Sequence, residues 1–118
     1  MQNSTTATDR DSGYQGWSNY ETWAVALWLD NEQSSYEWVR DLARTFYDDA
    51  TETTYATRGQ AAAWSLAEHL KDHHDECNPL EDGAPSVFTD LLRAALSSVD
   101  WHELGHHYVT EVLAERDA

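Results

Sequence analysis

The sequence has no isoleucine, a single lysine (Lys71), a single cysteine (Cys77) and two prolines. Each scarcity excludes something. A lone cysteine forms no internal disulfide, which suits a reducing compartment. Binding to nucleic acid needs Lys and Arg on the phosphates. Here 7 bases stand against 22 acids for a net charge of −15, so direct nucleic-acid binding is not expected. No stretch of about 18 apolar residues occurs, so no membrane span is expected. The first residues, Met1 to Thr8, have neither a basic nor an apolar region, and no signal peptide is read there. The expected location is the cytoplasm.

Catalytic signatures are equally sparse. There is no glycine-rich phosphate loop and no G-x-S-x-G elbow. Cys77 follows Asp75 and Glu76, an anionic setting that disfavours a thiolate nucleophile. The expectation is a binding protein without a cofactor, not an enzyme.

What the sequence does have is aromatic residues and helical periodicity. Six Trp and six Tyr in 118 residues supply core area, since each buried aromatic removes roughly 150–250 Å² from water. Residues 1–13 are rich in Ser, Thr and Asp without apolar periodicity, and read as a disordered N-terminal arm. Residues 14–118 read as a single acidic helical domain.

The expected fold is all-α, a compact bundle of about five short helices. The first opens at Ser18, with Glu21 completing a capping box, or at Asn19 as an alternative cap. Tyr20, Trp23, Ala24, Leu27 and Trp28, widened by Val25, Ala26 and Leu29, make it apolar on most sides, as in a central buried helix. The second runs from about Ser34 to Asp49 on Tyr36, Val39, Ala43, Phe46 and Tyr47. Its opposite face carries Glu37 and Arg40, with Asp41 and Arg44 as i,i+3 partners.

The third helix spans about Arg58 to His74 on Ala63, Trp64, Ala67 and Leu70. The fourth, with Pro85 in its first turn, shows the stripe Phe88, Leu91, Leu92, Ala95, Leu96 and Val99. Asp100 and Glu103 cap the fifth, which continues to about Glu115 through Trp101, Leu104, Tyr108 and Val112.

Two strings invite a metal. His102-Glu103-Leu104-Gly105-His106 matches H-E-x-x-H, where two histidines one turn apart bind zinc and the glutamate activates water. No third ligand stands at metzincin spacing, and on a helical wheel Glu103 points away from the apolar stripe. His69 and His73 share the i,i+4 spacing, with His74 and Cys77 close behind. A small zinc-binding protein is one alternative; rim histidines without metal explain the same strings, and no metal is assigned.

The carboxylates form the main candidate surface: Glu37, Asp41, Asp48, Asp49, Glu52, Glu68, Asp72, Asp75, Glu76, Glu81 and Asp82. Several are spaced to share a helix face, where like charges at i,i+4 cost a few tenths of a kcal/mol each. Such a surface imitates duplex DNA, which carries one negative charge per roughly 1.7 Å of axis. The implied partner is a basic protein surface. The competing explanation is salt adaptation, a halophilic-like composition in a helical interaction or structural module whose acidity is unrelated to its partner. Self-association as a homodimer is left open by the sequence.

The stretch Gly16-Trp17-Ser18-Asn19-Tyr20-Glu21-Thr22-Trp23-Ala24-Val25-Ala26-Leu27-Trp28-Leu29-Asp30-Asn31-Glu32 resembles a group of small uncharacterised proteins of phages, archaeal viruses and other mobile elements. They share an Asn-Tyr-Glu-Thr-Trp core. Val99-Asp100-Trp101-His102-Glu103-Leu104, with His106 and His107, is similar to their tail. The resemblance carries no activity or functional residue over. It implies a setting: a viral anti-defence inhibitor, anti-CRISPR or anti-restriction, acting on a host nucleic-acid-handling or defence protein in the host cytoplasm.

Overall fold

The structure is a computed structural model that describes residues 13–80 and 82–117. The arm expected over residues 1–13 therefore lies outside the described residues except for Gly13. The chain is all-α, with five helices: α1 Tyr20–Asn31, α2 Gln33–Asp49, α3 Arg58–Glu76, α4 Val87–Ser98 and α5 Trp101–Asp117. Among the described residues there is no strand, only an isolated bridge between Tyr14 and Trp17. That bridge closes a tight turn in which Gln15 and Gly16 both have positive φ (52° and 91°), as the central residues of a type I′ turn do.

Local chemistry fixes the helix starts. Asn19 caps α1, its Oδ1 accepting from the Thr22 amide at 2.9 Å. Ser18, the other expected cap, instead donates to Glu103. A full capping box opens α3: the Gln60 amide donates to Thr57 Oγ1, and the Thr57 amide donates to Gln60 Oε1. Ser86 caps α4, one residue after Pro85. Asp100 Oδ1 accepts from the Glu103 amide at 3.0 Å and starts α5. Between α1 and α2 the chain turns at Glu32, and the Ser35 hydroxyl donates to the Leu29 carbonyl at 2.9 Å across the corner.

The core centres on α3 and α5, which make the most extensive contact in the molecule. Leu66, Leu70, Leu104, Tyr108 and Val112 are fully buried there. Their backbones approach closely because the crossing residues are small. A Cβ on Gly105 would lie 2.3 Å from the Ala63 carbonyl oxygen and 3.1 Å from the Ala67 nitrogen.

The structure corrects four sequence expectations. First, α1 is not a central helix: it buries only Thr22, Ala26 and Leu29, while Trp28 is 67% exposed. Second, Trp64 on α3 is exposed, and Leu66 with Ala62 takes the inward face. Third, α4 buries only Thr89 and makes its main contact with α1. Phe88 and Leu91, the start of the expected stripe, face outward; only Leu96 and Val99 reach the core. Fourth, Arg40 is 4% exposed, not on the solvent side of α2. It stands one turn from Tyr36 and from Ala43, inside the apolar stripe.

Candidate carboxylate surface and apolar groove

The Arg40 guanidinium holds a polar cluster between α1, α2 and α5. Its Nε donates to Glu111 at 2.7 Å and an amino group donates to Asp30 at 3.2 Å. It lies 3.6 Å over the Tyr36 ring. The Tyr108 hydroxyl, wholly buried, also donates to Asp30 at 3.1 Å. Burial opposes the charge on Arg40, but hydrogen bonds and charge from Glu111 and Asp30 outweigh it and raise its pKa. Burial likewise pushes the Tyr108 phenol up, with Asp30 adding to the shift. The cluster ties three helices together and leaves the cation no access to a partner.

The remaining described bases are occupied too, with one exception. Arg44 pairs with Asp41 at 2.9 Å and Glu115 at 3.2 Å. Lys71 pairs with Asp75 at 2.9 Å, and Arg116 with Asp48 at 3.0 Å. Arg58 donates to the carbonyls of Tyr47 and Asp48 and lies over the Tyr47 ring. Among the described residues only Arg93 has no such partner.

The predicted partner-binding carboxylates therefore divide in two. Asp41 and Asp48 are exposed and Asp75 half-buried, and all three are engaged in ion pairs. The Arg116 hydrogen bond holds the Asp48 carboxyl below its ordinary value. Glu37, Asp49, Glu52, Glu68, Asp72, Glu76 and Asp82 are exposed, and none has a cation within pairing distance among the described residues. Glu37 accepts from the Gln33 side chain instead. Glu81 lies outside the described residues. Of the unpaired set, Glu68, Asp72 and Glu76 fall on one stripe of α3 at i, i+4 and i+8, stepped by about 6 Å.

The H-E-x-x-H string is built into the fold. Glu103 Oε1 accepts from the Ser18 hydroxyl at 2.7 Å and the Ser18 amide at 3.2 Å. Gly105 is the crossing point on α3. His102 is exposed against the Trp64 ring, and His106 is exposed. The other histidines are engaged elsewhere. His69 and His73 lie against Trp38, and Cys77 Sγ approaches His73 at 3.8 Å. His74 donates from Nδ1 to the Leu70 carbonyl at 2.8 Å and rests against Trp101. Burial lowers its pKa. Among the described residues, no three His, Cys, Asp or Glu stand together as a metal site.

An apolar groove of about 700 Å³ opens between α1, the start of α2 and the end of α3. Val25, Trp28, Leu29 and Trp38 line it with His73 and Glu32. Sequence reading missed it, because it read Trp28 as core. The signal was present in an α1 with more large apolar residues than one buried face accommodates.

Fold and surface together define a small all-α acidic domain with an exposed apolar groove. Residues 10–96 match a family of unknown function, DUF7249, and the chain belongs to that family. The match ends before α5, so the H-E-x-x-H string lies outside it. No curated protein and no solved structure matches the chain. No helix among the described residues is long and apolar enough to cross a membrane.

Proposed function

We propose that the protein is a stoichiometric acidic binder that presents a DNA-mimic-like carboxylate surface to a basic, nucleic-acid-handling protein. In a virus or mobile element it acts as an anti-defence inhibitor, anti-CRISPR or anti-restriction, in the cytoplasm of the host. One observation carries this reading. The described bases other than Arg93 are held inside the chain, while Glu68, Asp72 and Glu76 form a stripe on α3 without ion pairs among the described residues. A field of that sign attracts surfaces built for phosphates.

A second reading has its own support. Exposed carboxylates also occur on α2 (Glu37), α4 (Asp90) and α5 (Glu115). A salt-adapted helical interaction module distributes acidity in this way.

The test is phage plating on cells that carry a restriction or CRISPR system, with the protein expressed in trans. The native chain restores plating of a targeted phage. The variant Glu68→Gln/Asp72→Asn/Glu76→Gln, folded by circular dichroism, does not. Equal plating with and without the native chain, across the systems tried, contradicts the anti-defence role.

A further inference from the structure

We infer that the groove between α1, α2 and the end of α3 is the seat of a basic amphipathic helix from the partner protein. The inference rests on the reading that the partner is basic. Trp28 stands at the groove with 67% of its surface exposed, beside Val25, Leu29 and Trp38. Large exposed aromatics next to an apolar depression mark interaction sites, and Trp is prominent among residues that anchor them. A volume of about 700 Å³ accepts several apolar side chains. Helix recognition has this form, with anchors at i, i+3 or i+4, and i+7 entering a groove formed by neighbouring helices.

Charge selects the occupant. No Lys or Arg lines the groove, and Glu32 forms part of its wall. The carboxylate of Glu32 beside an apolar floor, on a chain of net charge −15, is the complement of a helix with apolar anchors flanked by Lys and Arg. A second copy of this chain is a poor occupant, because each copy carries a net charge of −15 and the two repel.

The experiment pans a randomised 15-residue peptide library against the full chain and measures selected peptides by calorimetry. Trp28→Ala and Glu32→Gln are the comparison variants, each checked by circular dichroism. The expected peptides carry Lys or Arg around apolar residues at helical spacing. Trp28→Ala weakens them at least tenfold, and Glu32→Gln weakens them less. Failure to enrich any peptide overturns the groove as a docking site. Polar Lys/Arg-rich peptides that ignore Trp28→Ala and are released by salt also overturn it, while leaving the acidic-surface reading intact. Selected peptides that lack Lys and Arg yet depend on Trp28 overturn the basic occupant and count against the reading of a basic partner.

Discussion

The amide of Asp100 donates to the hydroxyl of Thr22 at 2.8 Å, joining the first turn of α1 to the cap of α5 across 78 residues of sequence. The same hydroxyl donates to Asn19 Oδ1 at 2.6 Å, and the Asn19 amide group donates to the Ser98 carbonyl at 2.7 Å. Asn19 and Thr22, two residues of the Asn-Tyr-Glu-Thr-Trp core, thus form the clasp between α1 and the α4–α5 junction. Its chemistry is structural. Thr22 is wholly buried, so Thr22→Val should cost roughly 1–3 kcal/mol by leaving polar groups without a partner. Thr22→Ser keeps the hydroxyl and should cost less. Urea unfolding of the two variants checks the order; a Thr22→Val chain as stable as the native one, with Thr22→Ser the weaker, would show that the methyl group, not the clasp, matters.

The approach of α3 to α5 at Gly105 gives a paired prediction. Gly105→Ala places a methyl group against the Ala63 carbonyl, and the expected loss is about 1–3 kcal/mol, as for other overpacked contacts. A Cβ on Gly59 of α3 would make ordinary van der Waals contact with Leu113 Cδ1 and Thr57 Oγ1, both at 4.0 Å. Gly59→Ala should stabilise the fold by about 0.4–1 kcal/mol. Thermal melts of both variants distinguish a specific crossing from a general preference of helices for alanine.

Arg40 balances Asp30 and Glu111 while almost entirely buried. Arg40→Gln removes their charge-assisted hydrogen bonds, while both carboxylates keep some solvent contact, and the expected cost is about 1.5–3 kcal/mol. Arg44→Gln, on an exposed pair, should cost about 1 kcal/mol or less. Denaturant midpoints of the two variants measure the contrast.

His74 makes stability depend on pH in a defined direction. Burial lowers its folded pKa, with His73 adding to the shift and the Leu70 carbonyl and Asp75 opposing it. The unfolded chain therefore binds the proton first as pH falls below about 6.5. The stabilising contribution is fully present above that pH and is lost as pH drops through the folded value. The native chain should lose stability over this interval relative to His74→Phe, which keeps a ring against Trp101. Parallel pH profiles for the two chains would contradict the assignment.

The helices were legible because caps and periodicity are local. Asp100 with Glu103 announced α5, and its stripe of Trp101, Leu104, Tyr108 and Val112 is the buried face. What covers a stripe is not local. Phe88, Leu91, Trp28 and Trp64 all sit at helical spacing, yet all four are exposed, because helical spacing does not say which neighbour covers a face. Arg40 was misplaced because its residue type outweighed its position, and its partners Asp30 and Glu111 lie on two other helices. The carboxylates show the same division. The Asp41–Arg44 pair could be read from an i,i+3 spacing, whereas Asp48–Arg116 spans 68 residues and required the fold.

The basic-partner reading is decided by a competition pull-down from lysate of the source cells, using tagged protein and mass spectrometry. Recovery of a basic nucleic-acid-handling protein, released by high salt, displaced by duplex DNA and lost with Glu68→Gln/Asp72→Asn/Glu76→Gln, is the expected result. A partner indifferent to salt, to DNA and to those substitutions would contradict it and favour a salt-adapted module.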